Sequence, residues 1–261
     1  MTKLKIVAIL LLIILPHCSF AQPKVTNDIG IIAGVSEMRS DYGQRGETKS
    51  NINNMGFGIA LVHYAGFSYF DNLNEYFKEH FKVRSELSYS KTKMQHYGEW
   101  VGKTSLTSKQ LQAMRGSTQL FNVGCQLEYS LKNLHDFERE IGSFAPYVSI
   151  GPQFSYYDAK AWSTMGEIGT SLTTPLKYLI PSNGHPNGYS NESKTVFSAT
   201  LNIGTRYKLT PLTDLVLDIR AQFFTSDWVD GLNPKKDLFK ENKNNDWLTF
   251  IGLGYVIYLD N

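Results

Sequence analysis

The chain has 261 residues, and its 26 basic side chains stand against 24 acidic ones. This near balance argues against a nucleic-acid partner, which is normally met by a clear excess of Lys and Arg. The length suits one domain, and no stretch after the N-terminal segment is long and apolar enough for a membrane helix.

The first 21 residues have the pattern of a secretory signal peptide. Lys3 and Lys5 precede an apolar core at residues 6–15, and a small-x-small cleavage site ends at Ala21. Residues 1–21 are therefore predicted to be removed, leaving residues 22–261 as the mature domain. Removal takes two basic residues and no acidic ones, so the predicted mature chain is close to neutral.

Cysteine use is consistent with an exported protein that does not depend on disulfides. Cys18 lies inside the predicted signal and would leave with it. Cys125 then has no intramolecular partner, so no disulfide is expected even in an oxidising compartment.

Residues 81–89, FKVRSELSY, give the clearest structural signal. Apolar side chains mostly occupy the odd positions, and Lys82, Arg84, Glu86 and Ser88 occupy the even ones. Because a strand directs successive side chains to opposite faces, one face is apolar and the other charged. This pattern is typical of a transmembrane strand that faces lipid on one side and a polar lumen on the other.

The alternation recurs and predicts eight strands. They cover residues 29–39, 55–67, 81–95, 117–131, 145–157, 196–209, 215–228 and 247–259. The connections at 40–54, 96–116, 158–195 and 229–246 are on the whole longer than those at 68–80, 132–144 and 210–214, as in bacterial outer-membrane barrels. Residues 71–80 are the best helical candidate among them. The predicted fold is therefore an all-β, eight-stranded, antiparallel up-and-down transmembrane β-barrel.

Strand parity places an unusual number of charged side chains inside this barrel. The predicted lumen charge network consists of Lys82, Arg84, Glu86, Glu128, Arg206, Lys208, Asp218 and Arg220. A five-residue connection at 210–214 would place Arg206 across from Asp218 and Asn202 across from Gln222. Since eight strands enclose a space that side chains just fill, the network is predicted to plug the lumen. A narrow conduit for ions or small solutes is the alternative.

Three segments carry a family resemblance. The segments FAPYVSIGPQFSYYDA (144–159), FFTSDWVDGLNP (223–234) and DWLTFIGLGYVIYL (246–259) resemble strands of small outer-membrane β-barrels of Bacteroidota. Relatives in that wider family include barrels of the type IX secretion and gliding apparatus. The resemblance implies a cell-outer-membrane location, with membrane lipid as a partner, and an accessory role in such a complex as a further alternative.

The search for chemistry yields weak candidates. His96 with Glu99 and a loop serine is one arrangement that a lipid-modifying hydrolase could use, but a surface histidine is the simpler interpretation. Asp227, Asp230 and Asn233 could ligate Ca²⁺, or they could simply be the polar end of a strand. The sequence lacks phosphate-binding and dinucleotide-binding fingerprints, so no enzyme activity, cofactor or metal is predicted.

The outer loops remain as the predicted place of recognition. Long loops in compact domains are usually either functional or disordered. The candidate recognition residues are Trp162, Tyr178, Tyr189 and Trp228. The sequence thus predicts a non-enzymatic outer-membrane barrel with a structural role or a role in binding a protein or glycan. It does not indicate an oligomeric state.

Overall fold

The computed structural model describes residues 26–43, 52–68, 70, 72–240, 242 and 245–259. Within these ranges the chain forms a closed barrel in which each strand pairs antiparallel with its sequence neighbours and β8 pairs with β1. The strands are β1 Thr26–Arg39, β2 Met55–Gly66, β3 Phe81–Gln95, β4 Met114–Ser130, β5 Phe144–Ser163, β6 Ser193–Thr210, β7 Thr213–Phe224 and β8 Trp247–Tyr258. The predicted eight-stranded antiparallel barrel is confirmed. The predicted signal peptide lies outside the described residues.

Side chains alternate between a buried interior and an exposed exterior along all eight strands. The exterior carries one exposed apolar residue after another around the whole barrel. From β1 to β8, one example per strand is Ile31, Leu61, Leu87, Val123, Ile150, Leu201, Leu217 and Leu253. Cys125 is exposed on the same surface. The polar and charged residues that alternate with this set face inward, as parity requires.

Two details of the strands differ from the sequence-based predictions. The fourth to sixth strands are longer than predicted at one or both ends, and β7 ends at Phe224 rather than at residue 228. The connection between β6 and β7 is only Pro211 and Leu212, because Thr210 already pairs with Thr213.

The short connection changes the register that the sequence suggested. Arg206 lies opposite Val216, and Asp218 lies opposite Gly204. Asn202 lies opposite Arg220 rather than opposite Gln222, which pairs with Thr200. The predicted Arg206–Asp218 and Asn202–Gln222 pairs were therefore wrong. Closing the turn earlier, with a register shift between Lys208 and Thr210, moves each partner by two positions and preserves which side chains face inward.

The connections that the structure describes contain the short helices α1 Glu75–His80, α2 Leu106–Ala113, α3 Leu134–Arg139 and α4 Leu176–Leu179. The helix expected within residues 71–80 is present, and the other three were not predicted. Polar side chains begin three of them, because an oxygen before the first turn accepts otherwise unsatisfied backbone N–H groups. The residues that supply it are Asn74, Ser105 and Asn133. Among the residues that the structure describes, no helix combines the length and apolar character needed to span a membrane.

The connections define two different ends of the barrel. We call the end that carries the described residues 40–43, 52–54, 96–113, 164–192, 225–240, 242 and 245–246 the outer end. The inner end carries α1, α3 and the tight β6–β7 turn. Helices α2 and α4 belong to the outer end, where β5 and β6 also extend furthest along the chain.

Candidate functional site

The centre of the lumen is filled by a cluster of two guanidinium groups and two carboxylates. Arg84 donates to Asp218 at 2.6 Å and to Glu86 at 2.9 Å, and all three side chains are fully buried. Arg220 donates to both carboxylate oxygens of Glu86, and the bond from its Nη2 measures 2.6 Å. The Tyr147 hydroxyl donates to Asp218 at 2.7 Å. These charge-assisted bonds offset part of the cost of removing the charges from water.

A second cluster fills the lumen towards the inner end. Arg206 donates to Glu128 at 2.7 Å, and its guanidinium carbon lies 4.0 Å from the ring centroid of Tyr64. Lys208 lies 3.3 Å from Asp214.

Lys82 completes this second cluster. Its ammonium group donates to Asp28 at 2.8 Å and also contacts Glu138 at the inner rim, at 3.3 Å. The eight residues of the predicted charge network therefore all lie in the interior.

Two carboxylates of the lumen were missed by sequence reasoning. Asp28 precedes the predicted start of the first strand, and Asp214 lay in the predicted turn. Both side chains are buried and paired with lysines. With them, five buried strand cations face five buried strand carboxylates among the described residues. Extending the parity of each neighbouring strand by a few residues would have found both.

The lumen nearer the outer end is filled by uncharged polar groups. The Gln222 amide donates to Asn122 at 3.0 Å and to Ser155 and Ser198 at 2.9 Å each. The ring of Phe250 is also buried inside this region. From the inner end to the outer end, the groups that fill the lumen thus change from ion pairs to amides and aromatic rings. At each level, side chains from different strands contact one another inside the barrel.

The outer end carries a pocket of about 760 Å³. Its lining comes from four connections: residues 40–43, residues 96–111, residues 175–177 and Phe239. A volume of this size falls within the range of small-molecule sites. Described residues of all four outer loops therefore meet at this site, which we call the outer pocket.

His96 holds the floor of this pocket together. The Gly43 N–H donates to Nδ1 of His96 at 3.1 Å, and Nε2 lies 3.5 Å from the Tyr178 hydroxyl. Burial, together with the charges of Lys177 and Arg115, holds the pKa of His96 well below its usual range. The interpretation as a surface histidine was wrong, because only 5% of the residue is exposed. The two ring nitrogens of His96 thus contact residues of two other loops, and neither of these contacts is with Glu99.

Buried aspartates join the first and last outer loops beside the pocket. Asp230 accepts the N–H of Asp41 at 2.7 Å and that of Leu232 at 2.6 Å, and Asp246 accepts the N–H of Asp230 at 3.0 Å. Burial, and then the nearby carboxylates, raise the pKa of Asp230 and of Asp246 well above the usual range.

The calcium alternative receives no support from these aspartates. Asp227 lies 3.4 Å from Lys236, and the Asp230 oxygens accept backbone N–H groups. In the part of the chain that the structure describes, no group of three or more His, Cys, Asp or Glu side chains is arranged to hold a metal ion.

The four residues predicted to take part in recognition differ in how far the structure exposes them. Tyr178 is fully buried, and Tyr189 and Trp228 are partly buried against the same core. Trp162 is exposed and points outward from β5 on the exterior face of the wall. Tyr178, Tyr189 and Trp228 therefore pack within the loops more than they present a surface. Sequence reasoning missed Trp100 and Leu176, whose exposed side chains line the pocket. The position of Trp100 in a long predicted loop, close to Lys103, was the available signal.

No protein-family model and no curated protein match the chain. Solved structures do match it. A major outer-membrane protein of Thermus thermophilus shares 12% identity, with 90% of this chain and 99% of that chain covered and a TM-score of 0.45. The attachment invasion locus protein Ail of Yersinia pestis shares 13% identity, with 89% and 99% covered and a TM-score of 0.40.

The outer-membrane enzyme PagL is also among the matches, at 10% identity, with 88% of this chain and 98% of that chain covered and a TM-score of 0.35. The fold assignment itself rests on the closed strand order of the chain.

Proposed function

We propose that this protein is a non-catalytic outer-membrane barrel that binds a partner at the cell surface through its outer loops. In this proposal the barrel is an electrically closed scaffold, and the outer pocket is the binding site. The observation that carries the proposal is the convergence of all four outer connections on one pocket above a lumen that side chains fill.

The exterior supports the membrane location. Exposed apolar residues from all eight strands form a continuous surface around the barrel. Soluble monomers rarely expose apolar patches larger than a few hundred Å², whereas a lipid bilayer requires such a band. Outer-membrane lipid is therefore the proposed partner of the exterior.

Aromatic residues at both ends of the apolar band also fit this location. Near the inner end, Phe81 and Tyr129 lie 5.1 Å apart, and Phe144 and Tyr207 lie 5.0 Å apart. Near the outer end, Phe223 and Trp247 stack at 5.5 Å. Rings of this kind favour the boundary between lipid and water.

The filled lumen favours a binding role over the channel alternative. An ion crossing the barrel would have to displace Arg84, Glu86, Asp218 and Arg220, whose charges are already neutralised by one another. Breaking a buried pair by removing one partner costs several kcal/mol, about 3–5 in measured cases. Conduction therefore requires the barrel to give up the contacts that fill it.

We expect purified protein in a planar bilayer to show no conductance steps above the baseline. A general porin reconstituted in the same way serves as the positive control, and the unboiled protein must migrate as the compact, heat-modifiable form on a gel. Reproducible single-channel steps from that compact form would replace the binding role with the channel alternative.

A further inference from the structure

The outer pocket has an unusual combination of exposed apolar surface and unneutralised positive charge. Its walls include the apolar side chains of Trp100, Val101, Leu111, Pro175, Leu176 and Phe239. Trp100 is 61% exposed and Leu176 is 72% exposed. Large apolar side chains that remain exposed around one concave site are typical of a surface that a ligand covers.

The charge in this pocket lies next to the exposed ring. The ammonium group of Lys103 lies 3.8 Å from the centroid of the Trp100 indole. Among the described residues Lys103 forms no salt bridge, and it differs from the exposed Lys109 of α2 by lining the pocket in contact with the Trp100 ring. A ligand that stacks on Trp100 would therefore reach a cation that lacks an acidic partner.

The remaining charged groups of the pocket wall are Lys177 and Asp41. The ammonium group of Lys177 lies 4.7 Å from the Tyr178 ring. The backbone N–H of Asp41 donates to the carboxylate of Asp230. Of the three charged residues in the lining, Lys103 and Lys177 are positive and Asp41 is negative, so the formal charge of the lining is net positive.

Hydroxyl groups in the lining are largely engaged within the loops. Ser105 accepts the N–H of Ser108 at 3.2 Å, and Ser108 accepts the N–H of Lys103 at 3.0 Å. Ser40 accepts the N–H of Tyr42 at 3.2 Å. Because these serine oxygens already accept backbone N–H groups and much of the lining is apolar, the pocket favours a ligand with a large apolar part.

We propose that the outer pocket binds an amphipathic anion, with its apolar or aromatic body against Trp100 and Leu176 and its negative group at Lys103. This inference rests on the proposed function, because it specifies the ligand class for the same binding site. Salt at high concentration should weaken the interaction, since exposed charges are screened.

Two probes of the same shape test this assignment: 2-naphthoate, which is an anion, and 2-naphthamide, which is neutral. Binding is followed by ¹⁹F NMR of protein labelled with 5-fluorotryptophan in phosphatidylcholine nanodiscs. The chain has four tryptophans, and the Trp100→Phe variant identifies the resonance of Trp100. We expect both probes to shift that resonance, with the naphthoate bound about threefold or more tightly.

Lys103→Gln should remove the preference for naphthoate and leave naphthamide binding unchanged. The matched control is Lys109→Gln, which changes an exposed lysine of α2 outside the pocket lining and should keep the preference. Equal binding of the two probes by the unaltered protein would overturn the recognition of an anion, and a preference that survives Lys103→Gln would overturn the placement of the negative group at Lys103. A Trp100 resonance that neither probe shifts would overturn the pocket as a ligand site. Bilayer recordings and surface labelling test the proposed function without either probe.

Discussion

Replacing Glu86 with Gln should lower the free energy of unfolding by about 3–5 kcal/mol, because it leaves two buried guanidinium groups sharing one carboxylate. Glu86 accepts from Arg84 and, through both oxygens, from Arg220. Asp218 is the other carboxylate within reach of these cations. The measurement is urea unfolding of the reconstituted barrel, followed by the loss of the compact band on unboiled gels.

The control for this substitution is an ion pair of the inner end. Glu140→Gln removes the partner of Lys132, a 2.5 Å contact in which the carboxylate side chain is 66% exposed, and should cost less than about 1 kcal/mol. Combining Glu86→Gln with Arg220→Gln restores the charge balance and should recover part of the loss. If Glu86→Gln and Glu140→Gln had equal effects, the buried cluster would not be a principal source of stability.

Gly34→Ala should impair closure of the barrel, at a cost of at least about 3 kcal/mol, the upper part of the range for overpacking. A Cβ atom at Gly34 would overlap the carbonyl oxygen of Ile251 and lie 2.5 Å from Cα of Gly252. Both obstacles are backbone atoms of β8, so no change of rotamer relieves them. The substitution therefore affects the pairing of the first and last strands, which closes the barrel.

Gly102→Ala is the matched control, since a Cβ atom there meets no atom within 4 Å. We expect this variant to give the same yield of compact, heat-modifiable barrel as the unaltered protein, and Gly34→Ala to give a strongly reduced yield. Equal yields from the two variants would mean that β1 and β8 can separate at Gly34 without loss of the fold.

The sequence predicted the barrel because strand side chains alternate between two faces with a period of two residues. In each wall strand one face is apolar and the other is polar, so the alternation is visible in the sequence. Lys82, Arg84 and Glu86 alternate with mostly apolar neighbours. One orientation of the strand therefore places the charged side chains in the lumen and the apolar side chains on the exterior. The same reasoning identified the interior charges in β4, β6 and β7.

Strand parity predicts which charged side chains face inward, but it does not predict which of them pair with each other. Shifting the register between β6 and β7 by two residues keeps Arg206 and Asp218 inside but gives each a different partner. Arg206 on β6 reaches past β5 to Glu128 on β4, and Asp218 on β7 reaches Arg84 on β3, on the opposite wall. Long side chains that cross a lumen choose partners on distant strands, and strand order alone does not fix that choice.

The outer pocket was even less accessible to sequence reasoning. Its lining comes from segments more than a hundred residues apart, such as Trp100 and Phe239. Aromatic content drew attention to Tyr178, but contact with His96 and the core of the loops buries that ring. Which aromatic side chains stay exposed is decided by how the loops pack together.

The central claim is that the barrel sits in the outer membrane with its outer loops at the cell surface. The most direct measurement is labelling of intact cells with a membrane-impermeant maleimide, using single-cysteine variants on a Cys125→Ser background. Lys109→Cys marks the outer end, and Glu140→Cys marks the inner end. The account predicts that Lys109→Cys is labelled on intact cells and that Glu140→Cys is labelled only after the outer membrane is opened. Equal labelling of both variants on intact cells, labelling of Glu140→Cys alone, or protection of both would contradict it.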